Sequence, residues 1–380
     1  MLSQAYGEKT TIISRTWIKR RGVISMSNFV MLVGLPASGK SMKKDMTEYV
    51  NYIWYDTDEW RVKLFGTVGA VSSEQNNLLF RAIAKKIRED LKAGKSVIFA
   101  GTNVVSKRRK NYLEECTKGI SDVYKKVIVV AVPVLHCWSR DAVREKSVGV
   151  PIVNKFYYAF QFPLKSEGWD VIDIDYSNCY HLNKQILKNH VEEVKAAMDF
   201  DQRNKNHKLT VGRHLRKASR YIKYNLFMYY RCLKIVRDED YGFSKFGCLE
   251  DTEEARELKK MLYNVMLCHD LGKTKVKTEV NMKGETHYFK RGKSTLINCH
   301  YYNHENVSAY DAMFYRYCRE LSNSSDVEVS EAHKLFVTLI NYHMMMHLHK
   351  SVTQDKLEER FSKTELALLR IVNKADCFAR

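Results

Sequence analysis

Phe29-Val30-Met31-Leu32-Val33, running directly into Gly34-Leu35-Pro36-Ala37-Ser38-Gly39-Lys40-Ser41, decides how the first half of this chain folds. The apolar run reads as a buried strand. The glycines after it let backbone N–H groups close around a phosphate chain at a helix N-terminus, as a P-loop does. Gly34, Pro36, Ala37, Ser38 and Gly39 would form the cradle, Lys40 would reach the β- and γ-phosphates, and the Ser41 hydroxyl would ligate Mg²⁺. A nucleoside triphosphate is therefore the first expected ligand. The plainer alternative is a Gly-rich turn with no ligand.

Outward from the loop, Tyr49 to Tyr55 reads as a second strand that ends in Asp56-Thr57-Asp58-Glu59-Trp60-Arg61. Residues 74 to 92 carry helical periodicity, and residues 96 to 100 and 127 to 134 are dense in β-branched residues. Strands alternating with helices predict an α/β domain with a doubly wound parallel sheet, whose ligands bind at the carboxyl ends of the strands. Asp58 is then the candidate general base for an acceptor hydroxyl, and Arg61, one turn on, a clamp for an acceptor phosphate. A helix N-cap Asp with a surface Arg is the alternative. Arg140 and Arg144, four apart on a predicted helix, would share a face and form a lid over the departing phosphates, although such pairs are often only solvated surface.

The chain has 380 residues, enough for two cores, and all four prolines lie in its first half. The proline-free remainder suits long helices. A net charge of +19 favours a polyanionic partner. Nine scattered cysteines with no Cys-x-x-Cys pair look like free thiols of a reducing cytoplasm. No apolar run approaches a membrane span, and none suits a signal peptide. Residues 1 to 26 read as a basic extension, with Arg15, Lys19, Arg20 and Arg21 ahead of Met26. In the second half, His269 and Asp270 end an apolar helix. Side by side, imidazole and carboxylate can ligate one divalent Mn²⁺, Fe²⁺, Ni²⁺ or Co²⁺ ion, and a buried ionised Asp is costly without such a partner.

Residues 27 to 175 resemble the polynucleotide kinase family of P-loop phosphotransferases found in bacteriophage and bacterial end-repair enzymes. The resemblance rests on Gly34 to Ser41, Asp58 with Arg61, Thr102-Asn103, and Arg140 with Arg144 ahead of Pro151. It implies that Asp58 is the base for a 5′-hydroxyl, that Arg61 holds the acceptor phosphate and that Thr102, Asn103 and the two lid arginines belong to the ATP site. Gly101 departs from the family, which carries an Asp there, and Asp56 is the nearest carboxylate to compensate.

Residues 205 to 380, after a linker or helix at 176 to 204, resemble the HD phosphohydrolase superfamily, an all-α fold. The likeness implies metal ligation by His214, His269, Asp270 and Asp376, extra ligands at His304 and His343, and Lys273 beside the metal for a substrate phosphate. His347 and His349 read as part of an ordinary core-edge helix, while His207, His287, His300 and His333 have no assigned partner.

Together the two resemblances imply a bifunctional nucleic-acid end-healing enzyme of a bacterial or phage-infected cytoplasm. An ATP- and Mg²⁺-dependent 5′-hydroxyl kinase would accompany a 3′-phosphatase or 2′,3′-cyclic phosphodiesterase, acting on RNA ends before DNA ends and alongside a separate ligase. Two alternatives stand: a small-molecule kinase fused to a nucleotide phosphohydrolase, and an ATP-binding nucleic-acid module with impaired catalysis.

Overall fold

The computed structural model describes residues 26–67, 69, 71–179, 183–225, 253–320, 330–347 and 352–380. Apart from Met26, the basic extension lies outside them, as does His349. Five parallel strands form one sheet: β1 Ser27–Val33, β2 Ile53–Asp56, β3 Val97–Ala100, β4 Val123–Val130 and β5 Val171–Asp175. Their order is β2-β3-β1-β4-β5, so the P-loop strand is central, with Met31 in register with Phe99 on one side and Val127 on the other. This sheet with its flanking helices fits a P-loop kinase fold.

Between the strands run α1 Thr57–Phe65, α2 Ser73–Lys92, α3 Ser106–Thr117, α4 Val134–Val143 and α5 Val150–Tyr158. α2 starts on a capping box in which the Ser72 hydroxyl accepts from the Gln75 N–H while Gln75 reaches back to the Ser72 N–H. Its Leu79, Ile83, Ile87 and Leu91 are buried against the sheet.

Three element boundaries differ from the sequence expectation. The run from Tyr49 is folded at its start: Tyr49 closes a 3-10 turn, Tyr52 N–H donates to its carbonyl at 3.0 Å, and the two rings pack edge to face. β4 begins upstream at Val123, through half-exposed Tyr124, Lys125 and Lys126 that an apolar-run criterion passes over, and stops before Pro133, which caps α4. β5 alternates apolar and acidic residues at the sheet edge, a pattern unlike the apolar runs of the buried strands.

The second half contains α6 Asn183–Met198, α7 Val211–Tyr224, α8 Glu253–Cys268, α9 Lys273–Val276, α10 His304–Glu320, α11 Glu331–Tyr342, α12 Gln354–Glu358 and α13 Lys363–Ala379. It is not wholly helical, because β6 Tyr288–Arg291 and β7 Ser294–Ile297 make an antiparallel hairpin turned at Gly292, where φ is +61°. The segment expected as a linker or helix is largely α6, which packs on α7. There a Cβ on Gly212 would stand 2.4 Å from Met198 Cα, so only glycine allows the approach.

Buried apolar side chains from both halves form one continuous core. Polar ties cross the seam: Tyr310 Oη donates to Val132 O at 2.7 Å, Tyr342 Oη to Phe162 O at 2.7 Å, and the Phe162 N–H to Asn341 Oδ1 at 2.6 Å. Buried backbone groups are thereby satisfied by side chains of the opposite half. No helix among the described residues is long and apolar enough to cross a membrane.

Candidate active sites

The carboxyl ends of all five strands meet on one edge of the sheet, and the P-loop, Asp56 to Arg61, Thr102-Asn103, the start of α4 and Asp175 to Asn178 all lie there. The loop is a left-handed nest, with Ala37 at φ +62° and Gly39 at +86°, a geometry that turns successive N–H groups inward toward an anion. A Cβ on Gly34 would approach Ser38 Oγ to 2.7 Å and Val130 O to 3.0 Å, which is why that position is glycine. A 3-10 helix, Lys40–Asp45, follows in place of the expected α-helix and is anchored to the end of β5 by a buried Lys43–Asp175 pair at 2.5 Å.

Lys40 curls over its own loop, its Nζ donating to Leu35 O at 2.7 Å and Gly34 O at 3.0 Å, positions where phosphate oxygens would compete for it. Burial pulls its pKa down to about 8, against the attraction of Cys137, Asp56 and Asp58. The cradle, the lysine and the Ser41 hydroxyl therefore fit ATP with Mg²⁺. Asp56, not Asp58, caps α1: its carboxylate accepts from Asp58 N at 2.7 Å and Glu59 N at 3.3 Å, and burial raises its pKa against those two bonds. That leaves the Asp58 carboxylate free to project, 68% exposed, with Arg61 Nη1 2.6 Å away. Asn103, in the left-handed region at φ +47°, donates to Leu32 O at 2.8 Å, and Thr102 O accepts from Gly34 N at 3.0 Å. The 102–103 pair thus braces the P-loop from β3. A Cβ at Gly101 would meet only side-chain ends, the Asn103 amide at 3.2 Å and the Thr57 methyl at 3.4 Å.

The lid arginines do not share a helical face. α4 ends at Val143, and Arg144 is extended (φ −85°, ψ 146°). The cause is Asp141, a buried carboxylate that accepts from Ser147 Oγ, Val148 N and Gly149 N and draws Arg144 into a 2.7 Å pair. Burial alone would raise the Asp141 pKa, but these donors hold it below the ordinary range. Arg140 stays on the helix and donates to Asn178 O at 2.7 Å, while Asn178 donates to Ser38 O at 3.0 Å, so the first lid arginine already borders the P-loop.

In the second half, α7, α8, α10, α13 and the 3-10 turn His343–His347 converge on a buried cluster. His214, His269, Asp270 and Asp376 present ligand atoms within 4.8 Å of one another, and Asp270, His304 and His343 do the same. Asp270 is common to both: Oδ2 faces His214 Nε2 at 3.3 Å and His269 Nε2 at 3.6 Å, whereas Oδ1 faces His304 Nε2 at 3.1 Å and His343 Nε2 at 3.8 Å. Asp376 Oδ1 closes the first group, 2.9 Å from His214 Nε2. Ligands each about 2.1 Å from one ion stand roughly 3–3.5 Å apart, so the spacing suits coordination with little movement.

The backbone fixes how three of these rings point. Nδ1 of His269, His304 and His343 lies 2.9, 2.7 and 2.8 Å from the carbonyls of Met266, Tyr301 and Ile340, each three residues earlier. As donors to those carbonyls, the Nδ1–H groups leave Nε2 lone pairs facing the cluster, the tautomer a divalent ion needs. Gly272 permits the convergence, since a Cβ there would lie 2.4 Å from His304 O. Burial would raise the Asp270 pKa, but Lys273 and His269 outweigh it and hold the carboxyl well below the ordinary range. Lys273 Nζ stands 2.6 Å from Asp270 Oδ2 and 3.0 Å from Gln202 Oε1. The residues fit two divalent ions sharing one carboxylate, with four protein ligands at one position and three at the other.

Three neighbours were not singled out from sequence. His347, read as core-edge, puts Nε2 2.6 Å from Asp376 Oδ2, the oxygen turned away from the other ligands. Its spacing of four from His343 was the available signal. His207 packs its ring edge to face on His214 with centroids 5.5 Å apart, and burial, aided by Lys273, lowers its pKa to about 3. Gln202 is fully buried and orients Lys273, which no local pattern announces.

A family model described as an AAA domain matches residues 29–155. No curated protein matches the sequence. Among solved structures, a chain of the Pnkp1/Rnl/Hen1 RNA repair complex is similar at 20% identity and a TM-score of 0.30, over 35% of this chain and 45% of that one. A second structure of the Pnkp1/Rnl/Hen1 complex has 22% identity and a TM-score of 0.27, over 34% of this chain and 44% of that one. A gluconokinase from Sinorhizobium meliloti has 10% identity and a TM-score of 0.29, over 39% of this chain and 83% of that one. The chain thus spans less than half the length of the first two.

Proposed function

We propose that this chain repairs nucleic-acid ends, transferring the ATP γ-phosphate to a 5′-hydroxyl and hydrolysing a 3′-terminal phosphate or 2′,3′-cyclic phosphate. RNA is the substrate we favour, because its cleavage leaves both kinds of end. The observation that carries the reading is the second site: a buried carboxylate shared by two histidine groups, in the same folded unit as a P-loop bordered by Asp58 and Arg61. Two phosphate chemistries in one strongly basic chain suit a polyanion with two reactive termini.

In the first reaction Lys40 and Arg140 hold the donor phosphates, Arg61 holds the phosphate next to the acceptor, and Asp58 takes the proton of the attacking hydroxyl. Arg144 must leave Asp141, or the loop between them must shift, before it can reach the donor. The pair's partial exposure, with Arg144 37% open, leaves that exchange accessible. In the second site, divalent ions bound by His214, His269, Asp270, Asp376, His304 and His343 would acidify water and offset phosphate charge. Lys273 adds a fixed positive charge beside them, positioned by Gln202.

The test is phosphate transfer from labelled ATP to a 5′-hydroxyl RNA oligonucleotide, with DNA and mononucleosides alongside, and phosphate release from 3′-phosphate ends with Mn²⁺. Transfer only to small acceptors would replace the polynucleotide reading with a small-molecule kinase. ATP binding without transfer to any acceptor would leave a nucleic-acid-binding module.

A further inference from the structure

A cavity of about 320 Å³ lies on the seam between the two halves, at the lower end of the range for small-molecule sites. It belongs to neither site above. On α4, Val134, Leu135 and Trp138 line it, whereas Arg140, about 160° round the helix from Trp138 at 100° per residue, is turned to the P-loop side. The opposite wall comes from α6 and α10.

The cavity has two characters. Its walls are aromatic, with Trp138 and Tyr158 from the first half and Phe314 from the second. Trp138 is held in place by its Nε1–H, which donates to Asn154 Oδ1 at 3.0 Å, so a flat surface is preorganised. Its floor is polar and acidic: Lys275 Nζ bridges Glu193 Oε1 at 2.6 Å and Asp311 Oδ2 at 2.7 Å, and Tyr157 Oη donates to that same Asp311 oxygen at 2.6 Å. Both bonds to Asp311 fall on Oδ2, which leaves Oδ1 able to accept from a guest. Burial pushes the Asp311 pKa up to about 6, against Lys275. Two carboxyl groups around one ammonium make the floor rich in acceptors, poorly suited to a phosphate and suited to N–H donors.

We infer that this cavity binds a nucleobase, as a free nucleoside or as one base of a strand, stacked between Trp138 and Phe314 with its amino edge toward Asp311 and Asn189, because both Glu193 oxygens are already taken by Lys275 and Tyr315. The inference does not depend on either proposed activity.

The experiment is calorimetric titration of the full chain with adenosine, guanosine, cytidine and uridine, with excess Mg–ADP present to occupy the P-loop. At least one amine-bearing nucleoside should bind one per chain and more tightly than uridine. Trp138→Ala should weaken it about tenfold, the scale of one base–aromatic stack. Leu135→Asp, at the exposed mouth, should weaken it also and covers the case in which Trp138→Ala melts early. Binding of a 5′-hydroxyl RNA that falls when one residue is made abasic, and no longer falls in Leu135→Asp, identifies the strand as the source. Free nucleoside binding without an abasic effect identifies the nucleoside. No binding by any of the four nucleosides together with no abasic effect on RNA binding, or affinity unchanged in both variants, overturns the inference.

Discussion

Two ion pairs of nearly equal length brace the kinase-like half, and substituting one partner of each should have opposite consequences. Arg61–Asp58 spans 2.6 Å and Arg109–Glu167 spans 2.7 Å. Distance alone would rank them together. Yet the Asp58 side chain is 68% exposed, while the Arg109 and Glu167 side chains are 0% and 3% exposed. Glu167 also accepts from Arg109 Nε at 2.8 Å, Trp169 Nε1 at 2.9 Å and Leu164 N at 3.3 Å. Glu167→Gln keeps the shape but leaves a buried guanidinium uncompensated and aims an amide N–H₂ at existing donors. The expected loss is about 3–5 kcal/mol. Asp58→Asn should cost less, about 1 kcal/mol, because water screens the open Asp58 carboxylate even though the Arg61 side chain is only 18% exposed. Urea unfolding followed by circular dichroism measures both. Phosphate transfer separates them in the other direction: Asp58→Asn should lose 10²-fold or more at little cost in stability, roughly the contribution of a general base. Stability losses within 1 kcal/mol of each other would refute the burial argument, and full activity in Asp58→Asn would remove it as the base.

Four further outcomes follow from the same geometry. Lys40→Ala should lower phosphate transfer about 10²–10³-fold, measured with labelled ATP, without shifting the melting temperature downward, since its ammonium serves phosphates rather than the core. Asp270→Asn should abolish bound divalent metal at both positions, read by elemental analysis, because each of its oxygens faces a different histidine group. His347→Ala should weaken metal retention about 10–100-fold in chelator competition, as expected where a partner fixes a ligating carboxylate. Asp141, with its pKa held low in the fold, contributes stability that is complete above about pH 4 and is lost as pH falls toward its folded value. Asp141→Asn should be less stable at pH 7 and show a flatter urea midpoint between pH 3 and 7.

Much of this arrangement was legible because local rules and tertiary needs coincide. Gly34 to Ser41 could be read from sequence because a nest demands glycine and left-handed φ at set offsets, and the buried strands because parallel strands are apolar on both faces. The parts that escaped are those where a distant partner decides. Arg144 has the spacing of a helical lid, but Asp141 gathers the following turn and ends the helix one residue early. β5 alternates like an exposed strand because one face of an edge strand is open, and Tyr49 looks like strand until it closes a 3-10 turn and meets Tyr52 edge to face. His347 gains its place beside the cluster through Asp376, 29 positions on in sequence and 2.6 Å away in space.

The seam between the halves was the least visible feature in sequence and bears most on how the two sites relate. Four prolines confined to the first half and a proline-free second half suggest two separate cores. The described residues instead place Tyr310 fully buried against Phe160, its ring centroid 4.9 Å away, and bond its hydroxyl to Val132 at the root of α4. α4 carries Arg140 toward the P-loop, and α10, which carries Tyr310, begins with His304, whose Nε2 faces Asp270. Tyr310 thus ties α10 to the short loop that leads into α4, and the P-loop edge and the histidine–aspartate cluster share one continuous core. Domain separation should therefore fail: residues 27 to 175 expressed alone would expose the apolar face now covered by Tyr310, Phe314 and Tyr342. The expected result is aggregation or loss of cooperative unfolding rather than an independent kinase. A soluble, cooperatively melting fragment that still transfers phosphate would show that the shared core is packing without dependence.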